Sequence, residues 1–212
     1  MLETKTTRHK KQIIIGIIFL VFLVSGWVYP LIGFFIPACM VLGLGIGAFK
    51  GRKWCDWYCP RGSFYDSLLK KLSPNREIPQ YFKKIPVRVI IFSFLLIIMT
   101  LQIIRHWPDP YEIGKFFMAL LTTTTIIGII LGFIFHQRTW CYICPVGTLS
   151  NLIGRDKSSL KLNSDKCVNC ELCAKACPIQ LKPYDKEKTP DNYDCLKCNS
   201  CIDACPKKAL NF

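Results

Sequence analysis

The chain has no G-x-G-x-x-G turn, no evident pair of acid–base side chains, three histidines, and only 14 acidic residues against 28 Lys and Arg. Without a glycine-rich phosphate loop there is no recognisable cradle for a nucleotide or flavin. Without paired acid and base groups an autonomous enzyme is not expected. His9, His106 and His136 are too few and too scattered for a haem pair, since His106 and His136 fall at opposite ends of apolar runs. No A-x-A site follows the first apolar run, so that run reads as a retained segment rather than a cleaved leader.

Long apolar runs are what the chain does have. It is 51% hydrophobic, and four uncharged or nearly uncharged stretches lie at 12–29, 31–49, 85–104 and 116–135. Each is close to the ~20 residues that cross a bilayer at ~1.5 Å per residue. The expected fold is an α-helical membrane protein with four transmembrane helices in two hairpin repeats. The net charge of +14 follows the spans. Residues 1–159 carry 19 Lys and Arg against 7 acidic residues, whereas residues 160–212 carry 9 against 7. Basic residues at span ends are retained on the cytoplasmic side, which predicts a multi-pass protein of the cell membrane with both termini cytoplasmic. Lipid is the implied partner, not nucleic acid. Arg88 is expected to snorkel at a cytoplasmic span end, and the loop between the last two spans, of about ten residues, to face outside. Trp27 and Tyr29 suit the outer interface of a tight hairpin.

The tail holds a duplicated motif. Cys167, Cys170, Cys173 and Cys177-Pro178 are followed by Cys195, Cys198, Cys201 and Cys205-Pro206, two copies of C-x2-C-x2-C-x3-C-P. This run resembles the bacterial two-cluster ferredoxins, and the resemblance covers residues 160–212. It implies a small α+β domain with two [4Fe–4S] clusters, each held by three thiolates of one copy and the fourth of the other. Cluster one would take Cys167, Cys170, Cys173 and Cys205, and cluster two Cys195, Cys198, Cys201 and Cys177. A domain of this length cannot build a large apolar core, so the clusters are expected to substitute for one. A disulfide framework or paired zinc sites are the other uses of closely spaced cysteines. No ligand position is Asp, so no three-iron cluster is expected.

A second repeat sits at the cytoplasmic exits of spans two and four. Arg52-x-Trp54-Cys55-x3-Cys59-Pro60-x-Gly62-Ser63 matches Arg138-x-Trp140-Cys141-x2-Cys144-Pro145-x-Gly147-Thr148. A short interfacial helix is expected after each motif, the first with Ser63 and Asp66 placed like a capping box. Gly43 and Gly47 in span two, and Gly128 and Gly132 in span four, would permit a close helix crossing. Such a crossing would bring Cys55, Cys59, Cys141 and Cys144 together. The quartet is read as a third iron–sulfur site. Reactive dithiols, a copper site, or cysteines tolerated at a helix exit are the competing readings. Cys39 reads as packing, and the Thr122–Thr125 hydroxyls as bonding to carbonyls of the preceding turn.

The whole arrangement resembles the NapH/NosR-like family of polytopic membrane iron–sulfur proteins. The resemblance implies an electron-transfer protein linking cytoplasmic donors or acceptors, such as a ferredoxin or dehydrogenase, to quinone or to a membrane or extracytoplasmic reductase. Such a chain would be a subunit of an oxidoreductase more readily than an enzyme by itself. The second motif is one residue short of the family's C-x3-C-P, and no flavin-binding domain precedes the first span, which argues against a NosR-type regulator. The alternative function is an assembly factor whose thiols reduce or deliver copper or a cluster to a respiratory enzyme. The expected division is a basic N-terminus at 1–11, a four-span domain at 12–154 with motif repeats at 50–73 and 136–154, a linker at 155–159, and the ferredoxin domain at 160–212.

Overall fold

The computed structural model describes residues 2–154, 160–185 and 194–212, and the expected linker lies outside them. Helix α1 (Leu2–Val28) is continuous, so the basic N-terminus and the first apolar run form one rod. A 3₁₀ turn at Pro30–Phe34, opened by a proline whose ring presets the backbone, leads directly into α2 (Phe35–Lys50). A single turn thus joins the first two long helices. Helices α6 (Ile85–Arg105) and α7 (Pro110–Ile134) complete the long elements. Thr7–Val28, Pro30–Lys50, Ile85–Arg105 and Pro110–Ile134 are long and apolar enough to cross a membrane. Asp109 caps α7, its carboxylate accepting from the Tyr111 N–H at 2.9 Å. The helix therefore starts earlier than hydropathy suggested, and the connection from α6 is shorter than the expected loop.

Short helices gather at one end of the rods. Gly51, at φ +58, turns the chain out of α2 into α3 (Lys53–Trp57). Helix α4 (Pro60–Phe64) then runs into a π-helical turn at Tyr65–Leu69. Helix α5 (Gln80–Lys83) precedes α6, and α8 (Trp140–Ile143) and α9 (Pro145–Ile153) follow α7. The core here joins α1 to both motifs through Phe19, Phe64, Tyr65, Leu69, Trp140 and Ile143. In the tail, β1 (Lys161–Leu162) pairs antiparallel with β2 (Leu210–Asn211), and α10 (Leu172–Lys175) and α11 (Ser200–Asp203) carry the third cysteine of each copy. Among the described residues one small apolar cluster of the tail is Leu160, Cys173, Cys201 and Leu210, with Leu162, Tyr184 and Ile202 packed against it.

The structure corrects three local expectations. The glycines do not make spans two and four cross. A side chain at Gly43 or Gly47 would meet Val146 or Ser150, and one at Gly128 or Gly132 would meet Tyr65 or Leu69. Each glycine pair seats the interfacial helix of the opposite motif, because only a missing Cβ lets that helix lie against the rod. Asp66 does not cap. Its partner is Arg138, and the helix cap is Cys59, whose Sγ accepts from the Gly62 N–H at 3.5 Å. Arg88 does not snorkel to solvent, being buried in a bidentate pair with Asp194. The threonine expectation holds, with Thr122, Thr124 and Thr125 donating to carbonyls one turn back at 2.7–2.8 Å.

Candidate metal centres

Two cavities in the tail are lined by cysteines from both motif copies. One is lined by Cys195, Cys198 and Cys201 with Cys177, the other by Cys167, Cys170 and Cys173 with Cys205. The exchange of the fourth cysteine follows from the backbone. Asn169 and Lys197, Glu171 and Asn199, and Gln180 and Lys208 take positive φ at matching positions of the two copies. These left-handed residues curl the chain around each cavity. They also aim N–H groups at sulfur, with Leu181 donating to Cys177, Ala209 to Cys205 and Lys197 to Cys195 at 3.3–3.4 Å. Donors aimed at sulfur favour thiolate, the form a metal requires. Among the described residues no three His, Cys, Asp or Glu side chains converge tightly enough for a single metal ion. A cubane is held by four thiolates set farther apart than those around one tetrahedral ion, and each cavity is lined by four cysteines.

The quartet is built by reciprocal contacts. Cys55 and Cys141 are buried and Cys59 and Cys144 half-buried, and all four thiols lie within electrostatic reach of one another. Arg52 Nη2 donates to the Cys141 carbonyl at 2.6 Å, and Arg138 Nη1 donates to the Cys55 carbonyl at 3.0 Å. Each motif's arginine thus grips the other motif's cysteine backbone. The motif glycines make room for it. A Cβ at Gly62 would lie 2.8 Å from the Cys55 carbonyl and 3.0 Å from Arg138 Nη1, and one at Gly147 would lie 2.9 Å from the Cys141 carbonyl and 3.0 Å from Arg52 Nη2.

The one-residue difference between the motifs is absorbed locally. The N–H of Cys59 reaches back to the Trp54 carbonyl at 2.9 Å, and that of Cys144 to the equivalent Trp140 carbonyl at 3.0 Å. Both cysteines then adopt the extended backbone that a following proline imposes, with ψ of 115 and 130. The extra residue, Tyr58, widens one turn without displacing the second thiol's backbone setting.

Two buried ionic networks flank the quartet. Arg138, fully buried, pairs with Asp66 and Asp56. Arg8 of α1 joins Asp56 at 2.8 Å and donates to Ser200 in the tail at 2.8 Å. On the other side Asp194, next to Cys195, receives Arg52 and Arg88 at 2.7 Å and Asn151 at 2.9 Å. Tyr142 O–H donates to the Ile179 carbonyl at 2.6 Å, and the Ile78 N–H to Gln180 at 2.7 Å. Cys55, Ile78, Tyr142, Ile179 and Leu196 form one core, with Cys177 and Cys198 packed on it. The Cys195 cavity therefore faces the quartet, while Cys170 of the other cavity is exposed.

Burial pushes the Cys55 thiol up to about 12 against the pull of Arg52, Cys59 to about 11, and Cys177 to about 12. Burial also raises Cys141. A buried thiol with a raised value is a poor nucleophile, and a metal bound there must displace its proton. Burial works against ionised Asp66, but Arg138, with Arg8 and Lys70, outweighs it and holds the carboxyl below its usual range.

All twelve cysteines expected as ligands fall into these three groups, and Cys39 does not join them. Sequence reading noted Arg52, Arg88, Arg138 and Asp66 but missed how the arginines and carboxylates pair. A signal existed for two of them, since arginine stands three residues before the first cysteine of each membrane motif. Asp194 also breaks the tail repeat, standing where the first copy has Lys166. Nothing in local sequence pairs Asp56 or Asp66 with Arg138.

With this geometry in place, comparison with known proteins is informative. Residues 32–79 and 118–163 both match a family described as a 4Fe-4S binding domain, and residues 166–210 match one described as a 4Fe-4S dicluster domain. The protein binds [4Fe–4S] clusters. It is a membrane-associated iron–sulfur protein of electron transport, and both the membrane-end repeat and the tail carry the match. Two proteins of Methanocaldococcus jannaschii, the uncharacterized proteins MJ0749 and MJ0750, are similar. The first is 29% identical over 81% of this chain and 68% of its own length, the second 28% identical over 76% and 72%. No solved structure matches.

Proposed function

We propose that this protein is a NapH/NosR-like membrane relay that carries electrons between cytoplasmic redox proteins and a membrane acceptor, either quinone or a partner redox subunit. The supporting observation is the shared core in which Cys55 and Tyr142 of the membrane end pack with Ile179 and Leu196 of the tail, beside Cys177 and Cys198. A rigid, dry contact between two thiol sites is what electron passage needs.

In this reading Cys167, Cys170, Cys173 and Cys205 hold one cluster, Cys195, Cys198, Cys201 and Cys177 the second, and Cys55, Cys59, Cys141 and Cys144 a third. A [4Fe–4S] cluster supplies one-electron chemistry at a potential set by its surroundings. The chain supplies the order of the sites. Exposed Cys170 marks the end open to soluble partners, the Cys195 set lies in the middle, and the quartet sits at the head of the spans. Arg52 ties the last two together by touching both Asp194 and the Cys141 carbonyl. Two hairpin repeats and cytoplasmic termini complete the proposal, because 17 of the 19 basic residues in residues 1–159 fall on one side of a four-span arrangement.

The test is the iron content of the full-length protein purified without oxygen. About twelve irons are expected, because each cubane holds four. The double variant Cys59→Ser/Cys144→Ser should hold about eight, keep the EPR signals of the tail, and stop electron passage from tail to membrane acceptor. An unchanged iron count in that variant rules out the third cluster.

A further inference from the structure

Three arginines surround the quartet, Arg52 and Arg138 buried and Arg61 half-buried, and they differ in how their charge is met. Arg138 has Asp56 and Asp66, and Arg52 has Asp194. Arg61 has no carboxylate partner among the described residues. Its Nη1 donates to Thr124 Oγ1 at 2.8 Å, its Nη2 to Cys144 Sγ at 3.7 Å, and its guanidinium lies 5.2 Å from the centre of the Trp140 ring. Thr124 is itself buried within α7 and spends its hydroxyl proton on the Leu120 carbonyl, so it offers Arg61 a dipole and no charge. Cys59, Cys141, Cys144 and Tyr65 are the remaining groups capable of negative charge near it.

A guanidinium partly withdrawn from water is stabilised by a counter-charge, since taking an ion out of water is costly. A neutral quartet provides none. Four metal-bound thiolates provide an excess of negative charge on the side Arg61 faces. The pseudo-symmetry also breaks here. The residue after Pro60 is Arg61, whereas the residue after Pro145 is Val146, which packs against Gly43. The positive charge is thus supplied once, from the first motif, toward the second motif's Cys144.

We propose that Arg61 is the counter-ion of the quartet-bound cluster and sets its reduction potential. The inference rests on the third cluster of the relay. Reduction adds negative charge to the site, so a fixed cation beside it favours the reduced form and raises the potential. Arg61 acts through charge and through its hydrogen bond to the Cys144 sulfur.

The experiment is an EPR-monitored redox titration with iron analysis of the full-length protein, comparing wild type, Arg61→Gln, Arg61→Lys and Thr124→Val. Arg61→Gln should lower the potential of the quartet signal and leave both tail signals in place. Arg61→Lys, which keeps the charge, should lie nearer wild type, as should Thr124→Val. If Arg61→Gln instead drops to about eight irons while Arg61→Lys keeps about twelve, charge compensation is supported through occupancy. An unmoved quartet potential in Arg61→Gln overturns the assignment, as does equal loss of iron in both Arg61 variants. Wild-type protein with about eight irons removes the third cluster itself, a failure distinct from a cluster that is present and indifferent to Arg61.

Discussion

Arg52 and Arg138 hold each other's motif, the first donating to the Cys141 carbonyl at 2.6 Å and the second to the Cys55 carbonyl at 3.0 Å. A helix exit that bears a cysteine has a free carbonyl, because the short helices α3 and α8 end before it finds a partner one turn on. An arginine from the other motif fills that vacancy. Since each arginine is anchored elsewhere by carboxylates, the two exits are fixed in register, and the thiols they carry are fixed with them.

Removing Arg138 should therefore cost more than its hydrogen bonds. Arg138→Gln leaves Asp56 and Asp66 near each other in a buried site with Arg8 and the Gln12 amide as their remaining side-chain partners, and losing one partner of a buried pair costs about 3–5 kcal/mol. Thermal unfolding in detergent should show a large loss of stability. An effect below about 1 kcal/mol, the level of a surface pair, would mean the network is solvated.

The motif glycines make a matched set of tests. Gly62→Ala and Gly147→Ala each drive a Cβ to within 3.0 Å of a backbone carbonyl and a buried guanidinium, and overpacking of this kind costs about 1–3 kcal/mol. Gly45 has nothing within 4 Å, so Gly45→Ala should be neutral or stabilising by about 0.5–1 kcal/mol through helix propensity. Denaturation midpoints of the three variants should separate into these two classes.

Asp194 is the single carboxylate that joins Arg52, Arg88 and Asn151 to the tail. Asp194→Asn should loosen docking while leaving both tail cavities intact, because Asp194 lines neither. Amide exchange at Ile78, whose N–H donates to Gln180 across the same interface, should accelerate in the variant. Protection equal to wild type would place the docking energy in the apolar core of Ile78, Tyr142, Ile179 and Leu196 instead.

His136 makes stability depend on pH. Its Nδ1 accepts from the Arg138 N–H at 3.2 Å, and burial lowers its value from 6.5 to about 4. The unfolded chain binds the proton first as pH falls, so stability is full above about 6.5 and is lost between there and about 4. At about 1.4 kcal/mol per unit the total is on the order of 3 kcal/mol. His136→Asn should flatten that slope, and an unchanged slope would assign acid sensitivity to the carboxylates.

The sequence by itself determined the four spans, the pairing of motifs and the ligand groups in the tail. Each depends on a local rule: hydropathy over a bilayer's thickness, a repeated spacing, or the backbone before proline. It also carried the glycines, but not their use. Whether Gly43 faces another span or Val146 depends on how far the chain between Ile134 and Pro145 carries the second motif, a distance no local rule sets. The ionic networks were illegible for the same reason. Asp66 reads as a cap because it follows Ser63 by three residues, and only folding brings Arg138, seventy-two positions on, into the space where water would otherwise solvate it. Arg88 reads as a snorkelling cation until Asp194 arrives from the tail. Charge pairing across long separations is decided by which polar groups the packed rods exclude from water, and that exclusion exists only in the tertiary structure.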